Sequence, residues 1–149
     1  MSKIARNFAV AGVGLLAATW SVRAALADDF VIIHNAKTGA RSLTKTDLKN
    51  MAIGRKKAWE SGVPVQLVLS PVGAPEMKWF SMFATGISEE TLAAKMKQEV
   101  FKGELRRPVI VSSDRDCMTA VAADPGGVGV VSATAAKSLP AGVVVLAVQ

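Results

Sequence analysis

The fold that the sequence predicts is a single α/β domain with about five strands and four helices. Apolar β-branched runs, typical of buried strands, alternate with segments whose large apolar residues recur every three or four positions, as in helices packed on a sheet. Gly and Pro residues punctuate the chain between these segments. The 149 residues contain no internal repeat and no low-complexity linker, so we expect one domain.

The first 27 residues are typical of a cleavable secretory signal peptide. Lys3 and Arg6 precede an apolar stretch, and Ala25-Leu26-Ala27 places small residues at the two positions that a signal peptidase reads. The uncharged run over residues 8–22 has 15 residues, whereas a membrane-spanning helix needs about 20. We therefore expect residues 1–27 to be removed. No cysteine near the cleavage point offers a lipid attachment site, so the periplasm is the expected location.

Removal of this segment leaves 122 residues, numbers 28–149, which is the size of one ordinary domain. The segment contains three of the 18 Lys and Arg residues and none of the 12 Asp and Glu residues, so the formal charge falls from +6 to +3. This charge is compatible with small anionic ligands but too weak and too scattered for a nucleic-acid surface. Cys117 is the one cysteine, so no disulfide within the chain is expected.

A strand and a helix are predicted at the start of the domain. Residues 30–33 are apolar and β-branched and indicate a buried strand. Thr44 is the predicted N-cap of the first helix, with Asp47 at the N3 position of a capping box. Gly54 supplies the signal that ends this helix.

A second strand and a second helix follow. The strand is expected over residues 63–69, with Pro64 close to its first residue, where a missing N–H is tolerated. Residues 70–75 form the exit loop. The apolar spacing over residues 76–85 predicts a helix that ends at Gly86.

The third helix begins at Ser88, with Glu89 and Glu90 in its first turn, where negative charge is favoured. Its inner face repeats every four residues at Leu92, Met96 and Val100. Gly103 marks the end of this helix.

The last third of the chain is predicted to contain three strands and the fourth helix. Residues 108–111 indicate a strand, and Ser113 is the expected N-cap of a helix over residues 114–124. Two further apolar runs, 128–131 and 143–148, are β in character and each follows a Pro and Gly turn.

Neither His34 nor Cys117 is accompanied by the residues that a catalytic site needs. His34 is the only histidine, and the sequence has no G-x-S-x-G motif and no His, Cys and Asp cluster at metal-ligand spacing. We therefore expect a structural His34, no metal or cofactor and no enzymatic activity. Cys117 shares a helix face with Val121, which favours a buried thiol, with pairing between chains as the lesser alternative.

Three aromatic positions are expected to belong to the core and not to a sugar-stacking platform. They are Trp59, the pair Trp79-Phe80, and Phe101. Two of these positions lie in helical patterns that need core residues.

Two loops that follow predicted strands are the candidate ligand site. In the first, backbone N–H groups at Gly73 and Ala74, at the start of the second helix, can hold an oxyanion with help from the Ser70 hydroxyl. Ser112 and Ser113 offer a second loop of the same type. Because helix N-termini follow strands in every α/β domain, a structural role for these loops is the alternative.

Three segments occur in a recognisable order along residues 30–135. In the first segment, a helix start over residues 42–48 with two leucines continues into residues 53–62, which contain a glycine, three basic residues, a tryptophan and a second glycine. The second and third segments are residues 100–103 and 120–131. The last segment ends a helix, turns on Pro-Gly and re-enters the sheet with small residues where backbones approach closely. In this order the segments resemble the phosphate-binding-protein-like family, the substrate-binding components of phosphate ABC transporters and their short relatives.

The resemblance implies a type II periplasmic-binding-protein-like fold with a mixed sheet, a non-catalytic role without cofactors, and phosphate or a related small oxyanion as ligand. Full-length members close two lobes over phosphate, whereas 122 residues are similar to little more than one lobe. We therefore expect a single lobe, in which a second subunit or an envelope protein completes the ligand shell.

Two functions follow from these observations. The first is an exported, non-catalytic solute-binding domain for phosphate or a related oxyanion, without a membrane span after signal cleavage. The alternative is a ligand-free adaptor that keeps the fold and binds another envelope protein, or a second copy of itself, through its surface.

Overall fold

Residues 29–149 are described by a computed structural model of the chain. The predicted signal peptide, residues 1–27, lies outside the described residues. In the part of the chain that is described, no helix combines the length and the apolarity needed to cross a membrane.

Seven strands within residues 29–149 form two sheets. They are β1 Phe30–Asn35, β2 Ser42–Leu43, β3 Gln66–Leu69, β4 Val109–Ile110, β5 Gly127–Ser132, β6 Val143–Val145 and β7 Ala147–Val148. The larger sheet has five strands in the order β4-β3-β5-β1-β6, and β2 pairs with β7 alone. Since β3 is parallel to β4 and β5 while β1 is antiparallel to β5 and β6, the predicted mixed sheet is confirmed.

The four predicted helices are present in the described chain. They are α1 Lys45–Ala52, α2 Pro75–Phe80, α3 Glu89–Phe101 and α4 Asp114–Ala123, and α2 continues as a π-helical turn over Ser81–Thr85. The Thr44 hydroxyl accepts a hydrogen bond from the Asp47 N–H at 3.0 Å. The Ser88 and Ser113 hydroxyls cap α3 and α4 in the same way. The predicted caps at Thr44 and Ser113, and the predicted start at Ser88, are therefore confirmed.

The two faces of the large sheet carry separate hydrophobic clusters. Helices α1, α2 and α3 cover one face, where Leu67, Phe80 and Leu92 are buried. Helix α4 covers the other face, and Val68 and Val121 pack there. Successive β3 residues point to opposite faces, and all four are buried, as expected from the apolar run over residues 67–69.

Close backbone approach at the end of α4 explains the small residues of the Pro-Gly segment. A Cβ atom placed on Gly126 lies 1.7 Å from the carbonyl oxygen of Pro64. One placed on Gly129 lies 2.6 Å from the Cys117 sulfur. Any larger side chain at these positions displaces the neighbouring strand or helix, so glycine is required by packing.

Two of the predicted strands are shorter or divided. The run 63–69 forms a strand only from Gln66 onward, because Pro64 makes just an isolated antiparallel bridge to Ala58. The run 143–148 divides at Leu146, whose side chain is buried between β6 and β7 and whose N–H donates to the Ile32 carbonyl. From there the chain leaves β1 and pairs with β2.

The core assignment of the aromatic residues is correct except at Phe101. Trp59 and Phe80 are buried, and Trp79 is half-buried and stacks on Phe83 with 4.6 Å between ring centroids. Phe101 is 93% exposed, so its predicted place in the core is wrong. The residue follows Val100 at the end of α3 and lies about 100° around the helix from the inner face.

Candidate ligand-binding groove

The parallel strands β3 and β4 end together at one edge of the large sheet. Leu69 pairs with Ile110 at the last position of each strand. Ser70 therefore leaves the sheet beside the segment that leads to Ser112. Ligands of open α/β sheets bind at the carboxyl ends of parallel strands, so this edge is the expected place for a site.

A groove with a volume of about 630 Å³ opens at this edge, between the loop after β3, strand β4 and helix α3. Its floor is apolar and includes the buried side chains of Leu69, Met77 and Met96. The volume falls within the range of about 300–1,000 Å³ that is typical of small-molecule sites.

Three polar side chains line the otherwise apolar groove: Ser70, Lys97 and Arg107. Ser70 is half-buried, while Lys97 and Arg107 are exposed. Within residues 29–149, neither Lys97 nor Arg107 takes part in an ion pair. The groove thus offers two positive charges and one hydroxyl to a ligand.

Arg107 is positioned through its backbone. The buried Gln66 side chain donates hydrogen bonds from Nε2 to the carbonyl oxygens of Leu67 and Arg107, at 2.9 and 3.1 Å. This amide bridge ties the segment before β4 to β3. The preceding residue, Arg106, instead forms an ion pair with Asp124 at 3.1 Å.

The backbone donors of the loop before α2 are engaged within the protein. The Gly73 N–H donates to Glu89 Oε1 at 2.6 Å. The Ala74 N–H donates to the Pro71 carbonyl at 3.1 Å, and Pro75 has no N–H. Glu89 is 6% exposed, and its second carboxylate oxygen has no hydrogen-bond partner among the described residues. A carboxylate of the protein itself therefore lies where an oxyanion was predicted.

The second predicted loop lies outside the groove. The Ser113 hydroxyl accepts from the Asp116 N–H at 3.0 Å and is occupied as the cap of α4, while Ser112 is exposed. Asp114, in the same first turn, accepts a hydrogen bond from the Ser132 hydroxyl at 2.8 Å. The turn contains two acidic side chains, Asp114 and Asp116, which disfavour an anion, together with the basic Arg115.

Of the five predicted site residues, Ser70 alone lines the groove, whereas Lys97 and Arg107, which also line it, were not among the predicted residues. In the sequence, Arg107 is one of two adjacent arginines, and no local pattern distinguishes it from Arg106. Lys97 follows the inner-face residue Met96, so a helical projection places it at the border of the buried face. That position is the signal that could have identified it.

His34 and Cys117 are both buried among other residues of the protein. His34 is buried, with Nδ1 2.7 Å from Thr38 Oγ1 and its ring 5.7 Å from the Trp59 ring. Burial lowers the pKa of His34. Burial likewise raises the pKa of the Cys117 thiol to about 12. Within residues 29–149, no group of three or more His, Cys, Asp and Glu side chains is placed to hold a metal ion.

No protein-family model matches the sequence, and no curated protein matches it at a significant level. Among solved structures, the chain is similar to a possible phosphate binding protein from Planctomyces limnophilus, with a TM-score of 0.61 and 14% identity over 82% of this chain and 42% of that one. It is also similar to PstS from Borrelia burgdorferi, with a TM-score of 0.59 and 16% identity over 82% of this chain and 47% of that one.

An ABC-type phosphate transport receptor from Vibrio cholerae gives a TM-score of 0.53 at 14% identity, over 81% of this chain and 47% of the receptor. The chain thus spans less than half the length of each of these three proteins. At such identities the likeness concerns the fold. The resemblance inferred from the ordered sequence segments is confirmed at that level: residues 29–149 have the α/β fold of a single lobe of phosphate-binding-type proteins.

Proposed function

We propose that this chain is an exported, non-catalytic solute-binding domain of the periplasm, associated with ABC-type transport, that binds phosphate or a related small oxyanion. The observation that carries the proposal is that Lys97 and Arg107 line the same groove as Ser70, at the carboxyl edge of β3 and β4. The fold supports it, because solved structures similar to this one include proteins named for phosphate binding or phosphate transport.

In the proposed complex the Arg107 guanidinium donates two parallel hydrogen bonds to the oxyanion, and the Lys97 ammonium and the Ser70 hydroxyl donate further ones. Because both cations are exposed, the complex is screened by salt and its affinity is modest. Four further contacts with the ligand remain predictions: Gly73, Ala74, Ser112 and Ser113. Use of the Gly73 N–H requires a ligand that displaces the Glu89 carboxylate.

The test is titration calorimetry of the exported, purified protein with phosphate and sulfate, alongside thermal denaturation, since a ligand of the native state raises the melting temperature. We expect binding that weakens about tenfold when Arg107→Gln or Lys97→Gln removes one charge-assisted hydrogen bond. Arg106→Gln is the matched control, because Arg106 pairs with Asp124 and does not line the groove. Absence of heat and of any melting shift at millimolar phosphate contradicts the proposal.

A ligand-free adaptor of the envelope is the second candidate, and the exposed apolar surface at the groove favours it. Phe101 is 93% exposed and Ile110 59% exposed, and exposed apolar patches mark interaction sites. The chain spans less than half of the length of the similar structures, which is also consistent with a partner. Sedimentation velocity tests self-association, and capture from envelope extracts tests a second protein. This role requires that Phe101→Ser abolish the interaction while leaving the melting temperature unchanged.

A further inference from the structure

We propose that the groove accommodates an organic oxyanion: a carboxylate or phosphate head group bound between Lys97 and Arg107, with a short alkyl or aryl body lying along the apolar floor. This inference rests on the proposed oxyanion-binding function and names the ligand class for the same site. It differs from that function in requiring the apolar part of the ligand for strong binding.

The size of the groove supports an organic ligand. A volume of about 630 Å³ greatly exceeds what one tetrahedral oxyanion fills. Pockets of this size bury most of the surface of a small organic molecule, with apolar walls and a few polar groups that fix its orientation. The groove has this composition, with Ser70, Lys97 and Arg107 as its polar side chains.

The walls provide apolar surface for the ligand body. Ala93, Lys97 and Phe101 are spaced by four residues, so they form one stripe on α3 that faces the groove. Val72 and Ile110 lie on the other side and are 49 and 59% exposed. An apolar body laid between these walls removes their exposed area from water, and this burial is the source of the expected affinity.

The floor is suited to ligands of varied shape. Met77 and Met96 contribute unbranched, polarisable side chains that adjust to irregular apolar surfaces. Leu69, the last residue of β3, also contributes to the floor. The same floor offers an inorganic ion no hydrogen bond, so the ion is held at the mouth alone.

The charges point to the head group. Lys97 projects from α3 and Arg107 from the segment before β4, so the two cations stand on different walls of one opening. Neither is neutralised by an acidic side chain within residues 29–149. A ligand with one anionic end and one apolar end satisfies both features, whereas a neutral apolar ligand leaves both positive charges without a counter-charge.

The experiment compares inorganic phosphate with butyl, hexyl and octyl phosphate, and with octanoate and octanol, by titration calorimetry of the exported protein below the micellar concentration of each ligand. We expect affinity to rise about fourfold for each methylene that enters the groove. Octanol is expected to bind more weakly than either octyl anion. Preference for octanoate or for octyl phosphate supports the inference and identifies the head group.

Blocking the groove provides an independent test. Ala93→Phe narrows the groove and is expected to abolish the gain with chain length. Ala94→Phe is the matched control, because Ala94 is exposed on the same helix and does not line the groove. Circular dichroism checks that both variants are folded. If Ala93→Phe is unfolded, Val72→Asn on the opposite wall replaces it, and we expect this variant to gain less affinity per methylene than the wild type.

The outcomes separate the two proposals. Equal affinity for phosphate and octyl phosphate, with no effect of the groove variants, overturns the organic-ligand inference and leaves the proposed function standing. Octanol binding as tightly as octyl phosphate also overturns the inference. No binding by any compound contradicts both, and loss of self-association or protein capture in Ala93→Phe then assigns the groove to a protein partner.

Discussion

The backbone N–H of Gly73 donates a hydrogen bond of 2.6 Å to Oε1 of Glu89. The contact joins the loop after β3 to the first turn of α3 and borders the groove that both elements line. Glu89 is almost fully buried, and within the described residues its Oε2 lacks a partner. This carboxylate thus fastens the loop and at the same time occupies a backbone donor that an oxyanion could use.

We predict that Glu89→Ala lowers the free energy of unfolding by about 1–2 kcal/mol, because the Gly73 N–H loses its charged acceptor. The same change is expected to strengthen phosphate binding, since the donor becomes free and a negative charge is removed. Urea denaturation and calorimetry measure the two effects. Glu90→Ala is the control: Glu90 is exposed in the same turn, so its removal should change stability by less than about 0.5 kcal/mol.

A second outcome of this experiment distinguishes the two roles of Glu89. If Glu89→Ala reduces stability but leaves phosphate affinity unchanged, the carboxylate only fastens the loop, and the predicted contact at Gly73 is wrong. If stability does not change, the hydrogen bond contributes nothing measurable to the fold.

Gly129→Ala is predicted to destabilise the protein by about 1–3 kcal/mol through overpacking. The added Cβ lies 2.6 Å from the Cys117 sulfur and 3.0 Å from the Val68 carbonyl oxygen, so α4 must move away from the sheet. Chemical denaturation of Gly129→Ala, Cys117→Ala and the double variant forms a cycle. We expect the double variant to recover part of the loss, because removal of the sulfur makes room for the methyl group. Strict additivity of the two changes contradicts this contact.

Cys117 is predicted to react extremely slowly with thiol reagents in the folded protein. Its pKa is raised to about 12 by burial, which leaves roughly a thousandfold less thiolate at pH 8 than in a free cysteine. Labelling with a thiol-reactive dye with and without denaturant measures the difference. Rapid labelling of the folded protein contradicts the buried position.

Features that depend on neighbouring residues could be predicted from the sequence. The Thr44 capping contact and the caps of α3 and α4 each connect residues three positions apart, so a local pattern contains all the information. The glycines of the Pro-Gly segment were recognised as points of close approach, although their partners, such as Pro64, were not.

Features that depend on distant partners could not be predicted. Leu146 divides the last strand because it contacts Ile32, more than a hundred residues earlier. The Glu89 carboxylate reaches Gly73 through tertiary packing, and no rule of local spacing links the two. Likewise, Arg106 and Arg107 are identical in type, and only the position of Asp124 separates a paired arginine from a groove arginine.

The protein is predicted to lose stability on acidification in a manner that depends on His34. Burial lowers the pKa of the folded His34 below the usual value of 6.5, so the unfolded chain takes up a proton at a higher pH than the native protein. The unfolded state therefore binds more protons below about pH 6.5, and the free energy of unfolding falls as the pH drops through that value towards the lower native pKa. Thermal and urea denaturation between pH 7.5 and 5 measure this slope in the wild type and in His34→Gln. The carboxylates are common to both proteins, so their titration contributes equally to both slopes. The free energy of unfolding should therefore fall more steeply in the wild type than in His34→Gln. Equal slopes mean that the imidazole titrates alike in the folded and unfolded chains, and that burial at the Thr38 contact does not exclude the charged form.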